Sequence, residues 1–120
     1  MPLLKVEGQV FEVEDGKRLI LALEDSGLDV MHRCGGFAKC TTCRVKFIGG
    51  EPLHMTQAEF DRLKNTPDLF GQTRLACQIV CDHDMTVEPV IRLSNADVKS
   101  PGARPEKEIT PKPVWIDRPY

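Results

Sequence analysis

The stretch Cys34-Gly35-Gly36-Phe37-Ala38-Lys39-Cys40-Thr41-Thr42-Cys43 places three cysteines within ten residues. The chain of 120 residues has two more, Cys77 and Cys81, on the far side of a long gap. A protein that used cysteine as a small buried hydrophobe would scatter it; here it is concentrated in a C-x5-C-x2-C pattern with a distant fourth. The odd total of five argues against a fully paired disulfide framework. The start, Met1-Pro2-Leu3-Leu4-Lys5, shows no secretory signal, so a reducing, cytoplasmic setting is expected, where clustered thiols more often bind metal.

Four thiolates close a tetrahedral zinc site or hold an iron–sulfur cluster. Structural zinc sites usually pair two short knuckles, and Cys40–Cys43 is one; a C-x3-C hook at Cys77–Cys81 stays within reach of zinc. The Gly-bearing loop between Cys34 and Cys40 has no evident job around one small ion. Around a cluster carrying inorganic sulfide it does, because the backbone must wrap closely and glycine permits that approach. Small residues such as Ala38, Thr41 and Thr42 leave backbone N–H groups free to point at sulfur.

Together with Arg74-Leu75-Ala76-Cys77-Gln78, the Cys34–Cys43 motif closely resembles the 2Fe–2S ferredoxins. Its five-residue first gap is similar to the adrenodoxin- and putidaredoxin-like branch rather than to the plant type. The resemblance covers roughly residues 3–93 and rests on two separated motifs in the right order. It implies an α+β, β-grasp (ubiquitin-like) fold, a mixed sheet with packed helices and a cluster-binding loop. It also implies one 2Fe–2S cluster per chain, with Cys34 and Cys40 on one iron and Cys43 and Cys77 on the other. Thr41 and Thr42 would be supports; Cys81 could rival Cys77 as fourth ligand by its distance from Cys43, but the Arg74–Gln78 match favours Cys77 and leaves Cys81 a buried spectator. The implied function is a soluble one-electron carrier, not an enzyme and with no catalytic residue, between a ferredoxin reductase and an oxygenase or biosynthetic acceptor. The rival readings are a redox sensor or iron–sulfur assembly component, and a structural zinc module held by four cysteines. The sequence departs from the family in two places. Arg44 stands where adrenodoxin-like proteins commonly carry His, and residues 53–72 dilute Glu59 and Asp61 with Arg62 and Lys64.

Outward from the cysteines, Leu3–Val6 and Gln9–Val13 read as a hairpin. Leu19, Ala22, Leu23 and Ser26 recur at helical spacing, predicting a helix over 17–26 with Asp15 as cap and Gly27 as stop. Arg44–Ile48 alternates as a third strand closed by Gly49-Gly50. Thr56 and Glu59 form a capping-box pattern, with Met55 and Phe60 at the staple positions of a second helix. Asp82-His83-Asp84 reads as a turn, and Met85–Arg92 as a last strand that Pro89 would favour at a sheet edge. Five of the nine prolines lie in residues 101–120. The expected organisation is therefore a cluster domain over residues 1–94 and a proline-rich extended tail over 95–120, with Val114-Trp115-Ile116 docking on its own or a neighbouring domain.

The remaining composition excludes more than it assigns. Sixteen basic and eighteen acidic side chains leave a net charge of −2, with no basic footprint for nucleic acid. No window approaches a membrane-spanning apolar run, so membrane insertion is not expected, and the carrier is expected to be a monomer. His32, His54 and His83 lack the Cys-x-His spacing of a Rieske-type centre, and no phosphate loop or dinucleotide fingerprint appears.

Overall fold

The computed structural model describes residues 2–26, 43–90, 106–110 and 112–119. Strands β1 (Leu3–Val6) and β2 (Gln9–Glu12) pair antiparallel, with Val6 opposite Gln9. The two residues between them, Glu7 and Gly8, both have positive φ, 52° and 81°. That is the backbone a tight hairpin turn needs to match strand twist, and Gly8 adopts it without steric cost. Along β1 the exposure alternates, with Leu4 and Val6 turned into the core.

The expected first helix starts two residues late. Lys17–Arg18 forms a short strand, β3, paired antiparallel with β7 (Val80–Cys81), and helix α1 runs Leu19–Asp25. The N-cap is Arg18, without a side-chain cap, rather than Asp15. The reason is competition for backbone groups: Gly16 N–H donates to the Cys81 carbonyl and Leu19 N–H to that of Ile79, each at 2.8 Å. Every residue from Leu19 to Leu23 is buried, so α1 is covered on more than the single stripe its periodicity suggests.

The remaining elements are β4 (Arg44–Gly49), β5 (His54–Thr56), α2 (Gln57–Leu63), β6 (Arg74–Leu75), a 3-10 turn (Ala76–Gln78) and β8 (Met85–Pro89). The main sheet has the order β2-β1-β8-β4-β6, with β1 and β8 parallel and the other neighbours antiparallel. This is an α+β, β-grasp arrangement with a mixed sheet and, among the described residues, two α-helices. The expectation of an edge position for the last strand is corrected: β8 lies at the centre. Pro89 is tolerated because it ends the strand, past Val87, the last residue paired with β1. On the β4 side the ladder continues through Val90 N–H to the Arg44 carbonyl.

The core joins Leu4, Val6, Leu19, Ile20, Leu23, Val45, Leu75, Ile79 and Val87. The C-terminal segment joins the domain at β5. Strand β9 (Trp115–Asp117) pairs antiparallel with β5, Trp115 stands edge-on to His54 at 4.8 Å between ring centroids, and Ile109 is buried. Among the described residues no helix is long and apolar enough to cross a membrane.

Candidate metal centre

Strands β4 and β6 bring two of the four proposed ligands together. Arg44 pairs with Leu75 and Val45 with Arg74, and Ala76 N–H extends the ladder to the Cys43 carbonyl at 3.1 Å. Cys43, just before β4, and Cys77, just after β6, therefore share one end of a strand pair. Both are buried. Cys34 and Cys40 lie outside the described residues, as do the supports proposed at Thr41 and Thr42 and the histidine His32.

Cys77 is held from three sides. The buried Arg18 donates from Nε to the Cys77 carbonyl at 2.8 Å, and from Nη1 to the carbonyls of Glu106 and Glu108. Gln78 Nε2 donates to Cys77 Sγ at 3.7 Å, within range for the larger sulfur acceptor. Before Cys77, the Glu59 carboxylate accepts from Arg74 at 2.7 and 3.1 Å and from Leu75 N–H at 2.9 Å. Burial pushes the Glu59 carboxyl up from its ordinary value, opposed by the Arg74 guanidinium beside it.

Helix α2 thus brackets the ligand segment. Thr56 caps the helix by accepting from Glu59 N–H at 3.1 Å, as the sequence pattern predicts. The reciprocal half of the capping box is absent, because the Glu59 side chain turns inward to Arg74. The same Thr56 hydroxyl donates to Gln78 Oε1 at 2.7 Å, so one helix end touches both flanks of Cys77. Glu59 is consequently no part of any acidic surface on this helix, contrary to its reading with Asp61.

The donor set fits an anionic iron–sulfur group. Two buried cysteines sit at one end of the β4–β6 pair, a side-chain amide N–H reaches one sulfur, and Arg44 Nε, next to Cys43, is buried without a hydrogen-bond partner among the described residues. Cys81 differs. It sits in β7 opposite Lys17, 1% exposed, and burial, with some help from Asp82, pushes its thiol up to about 12. His54 is engaged with Trp115. His83 bonds Asp82 and the Gly50 carbonyl, while Asp84 accepts from Leu3 N–H, so the Asp82–Asp84 turn is engaged in local contacts. Among the described residues no three His, Cys, Asp or Glu side chains gather as a metal site.

Sequence reasoning missed Arg18, Glu59, Arg74 and Gln78 as supports. Arg74 and Gln78 at least flank Cys77 in its motif. Arg18 carries no signal, since a basic residue at a helix start looks solvated until strand pairing buries it.

Residues 4–82 match the family described as the 2Fe-2S iron-sulfur cluster binding domain. The 2Fe-2S ferredoxin of Pseudomonas aeruginosa is 36% identical over 68% of this chain and 76% of its own length. A component of the Na(+)-translocating NADH-quinone reductase of Chlamydia felis is 37% identical over 70% of this chain, a region spanning 19% of that component. Among solved structures, an ISC-like 2Fe-2S ferredoxin from Pseudomonas putida superposes with a TM-score of 0.62 and 31% identity, covering 80% of this chain and 99% of its own. With the fold and the placement of Cys43 and Cys77 in agreement, the chain belongs to the 2Fe–2S ferredoxin family, whose shared domain binds a 2Fe–2S cluster.

Proposed function

We propose that Cys34, Cys40, Cys43 and Cys77 hold one 2Fe–2S cluster and that the chain carries single electrons from a reductase to an oxygenase or biosynthetic enzyme. The observation that carries this reading is the placement of Cys43 and Cys77 at one end of the β4–β6 pair, both buried. Bound there, the cluster supplies a redox centre that accepts and returns one electron.

The chain's own residues hold and shield. Pairing of β4 with β6 fixes the separation of the two thiols. Arg18 pins the backbone at Cys77, and Glu59 pins it at Leu75. Leu75, Ala76 and Ile79 are buried on either side, which keeps water from the sulfur and lowers the local dielectric. A carrier of this kind meets donor and acceptor in turn, and small, weak interfaces suit both encounters. The occurrence of a similar domain within a component of a reductase supports a reductase as electron donor. A second reading, service to iron–sulfur assembly, draws support from the likeness to a ferredoxin described as ISC-like.

The division at residues 94 and 95 belongs to the same proposal, with the C-terminal segment acting as a strap on the cluster domain. Operation in the cytoplasm and as a monomer completes it. The test is compositional and spectroscopic: iron and acid-labile sulfide near two each per chain, with visible absorbance that bleaches on reduction. A colourless protein carrying one zinc overturns the reading.

A further inference from the structure

Among the described residues, the C-terminal strap touches the ligand segment through two side chains. One is Arg18, whose guanidinium joins the Cys77 carbonyl to those of Glu106 and Glu108. The other is Gln78, whose amide is oriented by three groups. Its Oε1 accepts from the Thr56 hydroxyl at 2.7 Å, and its Nε2 donates to the Thr110 carbonyl at 2.8 Å and to Cys77 Sγ at 3.7 Å. Flipping the amide would set its oxygen against the Thr110 carbonyl, two acceptors face to face, so the strap itself fixes which end of the amide meets the sulfur. Gln78 is 0% exposed, and water does not compete for that N–H.

We infer that Gln78 is a positioning residue through which the strap sets the reduction potential of the centre: Thr110 holds the Gln78 amide so that one N–H stays on the Cys77 sulfur. A donor on a ligating thiolate favours the form with more negative charge, which is the reduced one. The N–H remains on Gln78 throughout; no proton or bond is transferred. The matched family region ends at residue 82, so the strap that orients the amide lies outside it. The inference rests on Cys77 as a ligand and goes beyond that reading by assigning a tuning role to the strap.

The test is a spectroelectrochemical titration of the cluster-loaded full chain and of Gln78→Met, a near-isosteric change that removes both donors. Gln78→Met should keep the visible spectrum and shift the reduction equilibrium about threefold to tenfold toward the oxidised form, tenfold being 59 mV for one electron. In a full chain that also carries Ile109→Asp, which places a charge on the buried strap residue beside Thr110 and so releases the strap, the same substitution should produce less than half that shift on a logarithmic scale, because Thr110 no longer aims the amide. Gln78→Asn, too short to span Thr110 and the sulfur, should move the potential in the same direction and serves if Gln78→Met does not fold. An unchanged potential in the folded, loaded variant overturns the inference, as does an equal shift with the strap seated and with it released by Ile109→Asp. Failure of the ligand assignment shows separately, as a Cys77→Ser chain that keeps its spectrum.

Discussion

Glu59 and Arg74 form a two-point ion pair inside the domain, with Nε to Oε2 at 2.7 Å and side chains 0% and 2% exposed. The pair joins helix α2 to β6, three residues before Cys77. Arg74 also reaches Glu51 and the carbonyls of Pro52 and His54, so one guanidinium organises the whole approach to the ligand segment.

Glu59→Gln leaves a carboxamide NH2 facing Arg74 Nη2, donor against donor. Breaking one half of a buried pair costs about 3–5 kcal/mol, and the retained Glu51 contact argues for the lower end. The expected loss is about 3 kcal/mol, read as a fall in the urea midpoint of roughly 1–2 M at an m-value of about 2 kcal/mol/M. Arg74→Lys should not rescue, since an ammonium cannot match two oxygens in a plane. A midpoint within 0.3 M or so of the parent in Glu59→Gln would show that the pair is dispensable.

Cys77 and Cys81 are four positions apart and both buried, yet they should behave oppositely. Cys77→Ser should lose or grossly alter the visible absorbance, and Cys81→Ser should retain it. With its thiol pushed up to about 12 by burial, Cys81 should also resist alkylation in the native protein at pH 8. Rapid modification of Cys81 by iodoacetamide, mapped by mass spectrometry, would contradict this assignment.

His83 faces acceptors at both ring nitrogens, Asp82 Oδ1 through Nδ1 and the Gly50 carbonyl through Nε2. Partial burial alone would lower its pKa; the bonds to Gly50 and Asp82 and the charges of Asp82 and Asp84 outweigh that and raise it above 6.5. A raised folded-state value means that His83⁺ contributes stability fully below pH 6.5 or so and loses it as pH climbs through the raised value. His83→Gln should therefore flatten the decline in urea midpoint on the alkaline side of 6.5 while leaving the shape below it unchanged. An identical pH profile in parent and variant would remove His83 from the account.

Gly50 has φ +77°, and a Cβ there would run into the Asp84 carbonyl oxygen and crowd Met85 Cα at 3.1 Å. The obstruction is backbone and cannot swing aside. Adding left-handed strain of about 1–2 kcal/mol to that clash, Gly50→Ala should cost at least about 2 kcal/mol. In a domain of this size that lowers Tm by roughly 10 °C. An unshifted melt would mean the β4–β8 corner relaxes freely.

Much of the fold is legible from local signals. Alternation in Leu3–Val6 and Arg44–Ile48, the Glu7-Gly8 turn and the Thr56 cap are each carried by residues within a few positions of one another. The start of α1 escapes such a reading because Lys17–Arg18 pairs with residues more than sixty positions away, and no local window contains that competition. Pro89 suggests an edge strand because proline lacks a donor; where that missing donor falls depends on where β1 ends.

By itself, the sequence determined the family: cysteine spacing is set by the chemistry of the bound group and is written in consecutive residues. It also determined which thiols were candidates, through the motif around Cys77. Tertiary structure alone decided which polar side chains serve them. In the sequence Glu59 looks like half of a cap, Arg18 like a solvated cation and Gln78 like a motif neighbour. Each acquires its role only when burial removes water as a partner and leaves a specific group, Arg74, the Cys77 carbonyl or the Cys77 sulfur, as the way to satisfy its hydrogen bonds.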